Sequence, residues 1–239
     1  KLVITLQSKK AISPSMYDFS FKAPEKLRFV PGQYVEWTLG HAHPDSRGIR
    51  RYFTLASSPT EDTVHLGIKV FPNNGSTFKQ ALMAMKPGDD LIVGQVSGEF
   101  VLPQETKKKL VFIAGGIGVT PFRSQIQYLI DSGEKRDIVL LYACAGADDF
   151  VYQDVFVQAQ KAFGLQVHYI VTDLKSIPAD WSGKCGHIDE KMLGQLVPDY
   201  ADRTFYISGP GGMVTAYKDL LRRMHIGLTA IKTDYFPGF

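Results

Sequence analysis

Cysteine is scarce in this chain, with Cys144 and Cys185 the only two among 239 residues. Two thiols cannot furnish the four thiolates that an iron–sulfur cluster usually takes, nor the framework of a small secreted disulfide domain. A reducing compartment is therefore expected, the cytoplasm or the cytoplasmic face of a membrane. Charge of one sign is equally short: 27 basic and 24 acidic residues leave +3. The one basic run, 107–109, is too short to make a nucleic-acid or anionic-membrane surface and reads as a solvated connector. No stretch approaches the roughly 18 consecutive apolar residues of a membrane span, and no signal-peptide pattern opens the chain. There is no internal repeat and no low-complexity segment. An initiator methionine is missing too, since the chain starts at Lys1. The expectation is a processed chain acting as a monomer, or a domain of something longer.

What is present suffices for packed cores: the chain is 44% hydrophobic, a globular composition, and its length allows two ordinary domains. The two halves differ in period. Residues 1–103 carry short alternating or β-branched runs, "KLVITLQ", "MYDFSFKA", "GQYVEWTL", "RRYFTLAS", "TVHLGIKVF" and "DLIVGQVSGEFVL", parted by turns such as "VPGQ" and "KPGDD". Six strands at that spacing predict a small antiparallel barrel. One helix, "STFKQALMAM", interrupts them, with Asn74, Gly75 and Ser76 as its capping residues. Residues 104–239 change to continuous apolar strands, "LVFIA", "DIVLLYA", "LQVHYIV", "TFYIS" and "LTAIK", alternating with helices near 120–132, 150–163, 188–196 and 211–225. That alternation predicts an α/β domain with a doubly wound, five-stranded parallel sheet.

In such a sheet ligands bind beyond the carboxyl ends of the strands, near the point where strand order reverses. The first strand runs into "AGGIGVTP", the fourth into "SGPGGM" and the fifth into "TDYFPGF", so all three crowd one edge. A turn holding Gly115, Gly116 and Gly118, followed by Thr120 and Pro121 at a helix start, lets backbone N–H groups approach a diphosphate. Taken alone it is a weak signal; the second glycine turn, Gly209 to Gly212, strengthens it. In the barrel half, Arg51 and Phe53 share one face of a strand, a cation for a phosphate and a flat ring for a flat ligand. Thr54 follows directly. The helix start at Gly75, Ser76 and Thr77 offers a second anion site.

Taken in order, "RYFT", "GSTF", "GEF", "GGIGVTP", "SGPGGM" and an acid with an aromatic near the carboxyl end resemble the ferredoxin–NADP reductase family of flavin-dependent oxidoreductases, in the two-domain form without an iron–sulfur domain. The resemblance covers nearly the whole chain. It implies a Greek-key barrel that binds FAD, FMN being the alternative, followed by a domain that binds NADH or NADPH. It implies hydride transfer from nicotinamide to flavin N5 and onward delivery to an electron acceptor protein or domain. On the flavin side it marks Arg51, Tyr52, Phe53 and Thr54, the strand Gly67, Ile68 and Lys69, and the helix start Gly75, Ser76 and Thr77. Phe53 stands where the family usually has tyrosine, so stacking is kept and a hydroxyl contact is lost. On the nucleotide side it marks Gly115, Gly116, Gly118, Thr120 and Pro121, then Ser208, Gly209, Pro210 and Met213, with Ser208 where cysteine is common. Thr54, Ser208, Asp234 and Phe236 are the residues implied at the reacting centre, with Phe236 or Phe239 covering the flavin face.

The second strand ends "YACAGADDF", where NADP-dependent members carry serine and arginine. Asp148 and Asp149 there would repel a ribose 2′-phosphate, which favours NADH, although Lys175 and Arg203 stand on neighbouring loops. His41, His43 and Asp45 read as a polar hairpin loop rather than a metal site, and Cys185 and His187 as turn and cap residues. The expected function is a flavoprotein reductase. Its alternatives are an electron-transfer module excised from a larger redox protein and a flavin or nucleotide sensor without turnover.

Overall fold

The computed structural model describes residues 1–71 and 76–236, with side chains as far as Asp234. The expectations placed on Asn74, Gly75, the Phe236 ring and Phe239 lie outside the described residues.

The first half forms β1 (Leu2–Ala11), β2 (Met16–Lys22), β3 (Tyr34–Thr38), β4 (Arg50–Thr54), β5 (Val64–Lys69), α1 (Thr77–Ala84) and β6 (Asp90–Ser97). Every strand pairing is antiparallel, in the order β4-β3-β6-β1-β2-β5. The two outer strands approach each other past the end of β4, where the Ala56 N–H donates to the His65 carbonyl at 2.9 Å. Alternation sends Phe19, Phe21, Val35 and Trp37 inward, and α1 closes the core with Phe78 and Leu82.

The second half forms β7 (Leu110–Gly115), α2 (Thr120–Ser132), β8 (Ile138–Cys144), α3 (Gln153–Phe163), β9 (Gln166–Val171), β10 (Lys184–Cys185), α4 (Glu190–Leu196), β11 (Thr204–Pro210), α5 (Gly211–Arg223) and β12 (Ile231–Phe236). Its sheet is parallel, in the order β10-β9-β8-β7-β11-β12. Five long strands were expected and a sixth is present. Strand β10 is two residues paired with Ile170 and Val171, too short to leave a periodic signal. The last strand also starts later than "LTAIK" suggests: Leu228–Ala230 make a 3₁₀ turn with Leu228 exposed, and the strand that follows carries Asp234. Order reverses on either side of β7, so the switch point lies between β7 and β11.

The two halves meet around Phe100 of "GEF". Its ring packs 5.5 Å from Phe122 and 5.2 Å from Tyr206, and Gln125 Nε2 donates to its carbonyl at 2.8 Å. A polar clamp flanks this plug. The Arg123 guanidinium grips both carboxylate oxygens of Glu61 and donates to the Ala56 carbonyl at 3.1 Å. Ser124 Oγ donates to the Ser57 carbonyl at 2.6 Å, and Tyr152 OH to Asp18 Oδ2 at 2.8 Å.

Candidate flavin and nucleotide site

Strand β4 places the barrel's contribution. Its alternation turns Arg51 and Phe53 to one side, as expected. Tyr52 goes to the other, a correction to its grouping with the cofactor segment: it is exposed, donates to Glu36 Oε2 at 3.0 Å and meets Tyr34 edge-on. A hydrogen-bonded tyrosine on the outer face of the sheet cannot also share the face of Arg51. Arg51 is 8% exposed and lies over the Phe78 ring at 5.4 Å. Its Nη1 donates to the carbonyls of Arg47, Gly48 and Arg50, and its Nη2 to Ser76 Oγ and both oxygens of Asp45. Ser76 is the N-cap of α1 but makes no side-chain cap hydrogen bond; the Thr77 N–H is capped instead by Asp45 Oδ2 at 3.3 Å.

A narrow crevice opens beside this seat, lined by Phe53, Thr54, Gly67, Ile68, Lys69, Lys79, Ile117 and Thr120. It joins a barrel strand to the glycine turn of the second half because Gly67 has no side chain. A Cβ there would stand 2.6 Å from Tyr152 OH and 2.8 Å from Thr120 Cγ2. Lys79 was missed by sequence reasoning. Its signal is a lysine at an inward position of α1, beside Phe78 and Leu82. Burial, then the cations of Arg47, Arg51 and Lys69, push its ammonium down to about 8.

The parallel register aligns the second half against the barrel. Ser208 pairs with Ala114 on one side and Asp234 on the other, so the three share one face. Ser208 is fully buried and its hydroxyl has no hydrogen-bond partner. Asp234 Oδ2 accepts from Thr54 Oγ1 at 3.4 Å across the junction. Burial pushes the Asp234 carboxyl up from 3.8 to about 6, against the opposing hydrogen bond from Thr54. The folded protein therefore holds this proton to higher pH than the unfolded chain, and stability falls as pH rises from 3.8 through about 6. Asp234→Asn is expected to melt above wild type at neutral pH and to lose that advantage below about pH 4. A melting series in which the difference stays constant with pH would make Asp234 an ordinary solvated carboxylate.

Gly115 ends β7, Gly116 and Gly118 form a 3₁₀ turn, and Thr120 and Pro121 begin α2. Gly118 is needed for packing: a Cβ would lie 2.5 Å from both the Ser208 carbonyl oxygen and Gly209 Cα. Beyond Gly209 and Pro210 a groove of about 740 Å³ runs between α4 and α5, lined by Met213 and Tyr217 on one side and His187, Ile188 and Asp189 on the other. Asp189, not His187 or Cys185, caps α4, accepting the Met192 N–H at 2.7 Å. Asp148 and Asp149 follow β8 in a 3₁₀ turn. Arg203 lies at the opposite edge of the sheet, before β11, held by Asp199 and Asp137 at 2.7 and 2.8 Å. It is therefore not available to a nucleotide at the strand ends. Burial pushes the Cys144 thiol up to about 12, which makes it inert. Among the described residues no group of His, Cys, Asp and Glu could hold a metal ion, and no helix is long and apolar enough to cross a membrane.

Residues 3–101 match the oxidoreductase FAD-binding domain family, and residues 112–219 match the oxidoreductase NAD-binding domain family. The chain belongs to the ferredoxin–NADP reductase-like family. Over 231 residues the chain is 27% identical to the stachydrine N-demethylase reductase subunit Stc4 of Rhizobium meliloti (strain 1021), covering 95% of this chain and 64% of that protein. Over 230 residues it is 24% identical to a flavohemoprotein of Oceanobacillus iheyensis, covering 94% of this chain and 56% of that protein. The fold is shared with the cytochrome b5 reductase domain of Ulva prolifera nitrate reductase, at a TM-score of 0.82 and 22% identity over 98% of this chain and 97% of that one. The chain thus spans less than two thirds of these curated relatives, 64% and 56%. The donors present fit the family's two groups. A buried guanidinium with an unpartnered Nε suits a diphosphate, and the orphaned Ser208 hydroxyl, the Gly67 cradle and the apolar crevice suit facing planar rings.

Proposed function

We propose that this chain is an NADH-oxidising flavoprotein reductase that passes electrons from bound FAD to an acceptor protein or domain. The observation that carries this reading is the junction itself, where Thr54 of the FAD-binding half meets Asp234 of the NAD-binding half, one strand from Ser208. Arg51, Ser76 and Thr77 hold the flavin diphosphate. Phe53 stacks against the ring, while Gly67, Ile68 and Lys69 line its sugar-alcohol side. The 3₁₀ turn at Gly116 and Gly118, with Thr120 at the start of α2, takes the nucleotide diphosphate, and Ser208 to Met213 take its nicotinamide half. The flavin, when bound, supplies the hydride and electron chemistry. Thr54 Oγ1 and Asp234 Oδ2 hold or move a proton beside it, the raised carboxyl being suited to that task near neutral pH. Asp148 and Asp149 favour NADH over NADPH through repulsion of a 2′-phosphate. The likeness to a reductase subunit and to a flavohemoprotein supports an acceptor that is another subunit or domain.

An anaerobic titration of the flavin-loaded chain with each nucleotide tests the reading. NADH is expected to bleach the visible flavin band at far lower concentration than NADPH. A bound flavin that neither nucleotide reduces would remove the reductase reading for this chain.

A further inference from the structure

The loop between β3 and β4 delivers a carboxylate into a seat built for an anion. Both oxygens of Asp45 lie against Arg51 Nη2, at 2.6 and 2.7 Å. Its Oδ2 accepts the Thr77 N–H at the start of α1, and its Oδ1 accepts the Arg47 N–H at 3.0 Å. Burial opposes this charge, yet the donors win and hold the Asp45 carboxyl at about 2. Asp45 therefore stays ionised and occupies the position of an anion between a guanidinium and a helix N-terminus.

Two observations indicate that the seat is built for more negative charge than one carboxylate brings. Arg51, 92% buried by its 8% exposure, keeps an Nε with no hydrogen-bond partner. Lys79 stands beside it, close enough for the cations of Arg47, Arg51 and Lys69 to act on its ammonium. A diphosphate brings more negative charge to this group than one carboxylate does. His43, Pro44, Ser46 and Arg47 of the loop that carries Asp45 are exposed, while its backbone is tied to the seat through the Asp45 N–H, which donates to Thr77 Oγ1 at 3.0 Å, and the Arg47 and Gly48 carbonyls, which accept from Arg51 Nη1. This leaves the carboxylate as the part that can turn away.

We propose that Asp45 is an internal competitor for the phosphate seat: its carboxylate holds Arg51 and the first turn of α1 when flavin is absent, and leaves when the flavin diphosphate enters. This rests on the assignment of Arg51 to the flavin. The exchange is non-covalent, one anion for another. Asp45 thereby sets how tightly the flavin is kept, and the protein without flavin keeps a capped helix and a neutralised arginine.

The test is a titration of flavin-stripped protein with FAD, followed by quenching of flavin fluorescence. Asp45→Asn keeps the shape and removes the charge; it is expected to bind FAD about tenfold tighter than wild type, while Asp45→Glu returns towards wild-type affinity. The stripped Asn variant is also expected to melt below stripped wild type, the order vanishing or reversing with FAD bound. FAD binding by Asp45→Asn that equals or falls below wild type overturns the proposal. Where the stripped Asn variant does not survive, FAD loss from the loaded protein after dilution is read instead: slower loss supports the competitor, equal or faster loss overturns it. Arg51→Ala separates the two readings. Unchanged FAD affinity in that variant removes the phosphate seat itself, whereas weakened affinity there with no gain in Asp45→Asn removes only the competitor.

Discussion

Gly118→Ala is expected to lower the melting temperature by about 6–12 °C and to abolish reduction by NADH, a large effect for one methyl group. The reason lies in what surrounds the position. The added Cβ would stand 2.5 Å from the Ser208 carbonyl oxygen, 2.5 Å from Gly209 Cα and 2.7 Å from Gly209 N. All three are backbone atoms of β11, and backbone cannot rotate away as a side-chain tip can. Relief requires moving the end of β7's turn away from the end of β11, the switch point of the sheet. Overpacking of this kind costs about 3 kcal/mol, and each kcal/mol lowers the melting temperature of a chain this size by roughly 2–4 °C. The same shift would separate Thr120 from Ser208, the two sides of the proposed nucleotide site. The check is a thermal melt beside an NADH titration at a temperature where the variant is folded. A folded Gly118→Ala protein reduced by NADH like wild type would show that the strand ends can part without harm.

That packing role also shows what was legible in the chain and what was not. Periodicity exposed both halves because the barrel strands alternate while the parallel strands are continuously apolar, and α2 is bounded as expected at 120–132. The glycine turns were visible as composition. Their physical cause was not, since the neighbour that forbids a side chain at Gly118 lies about ninety residues away in β11. Asp45 shows the same limit. In "GHAHPDSRG" it looks like one polar residue of a loop, and its partners Arg51 and Thr77 become adjacent only when α1 folds over the barrel end. Strand β10 escaped for a different reason, because two residues contain no period to detect. Tyr152 escaped because its hydroxyl acts across the junction, on Asp18, while its place in the chain is the N-cap position of α3. Arg51 and Phe53 were legible together because a strand's two-residue period is a local property, and the same period correctly separates Tyr52 from them.

Contacts across the junction lead to the second large effect. Arg123→Ala is expected to cost about 3–5 kcal/mol, because it leaves the Glu61 carboxylate facing the interface without its cation. Arg123 is 8% exposed and joins α2 to the barrel through Glu61 and the Ala56 carbonyl, with its guanidinium 5.8 Å from the Tyr152 ring. Glu61 is fixed in turn, since its Oε2 also accepts the Ser58 N–H at 2.6 Å. Most of the loss is the penalty of an unpaired charge rather than the worth of the pair, so removing both charges should recover much of it. Arg123→Ala with Glu61→Gln is therefore expected to melt above Arg123→Ala alone, and the double-mutant cycle measures the coupling directly. Flavin reduction by NADH is expected to slow in both variants, since a displacement of about 1 Å between reacting groups can cost roughly a hundredfold. If Glu61→Gln costs as much in the Arg123→Ala protein as in wild type, the clamp carries no coupling energy, and the two halves are held together by the Phe100 plug against Phe122 and Tyr206.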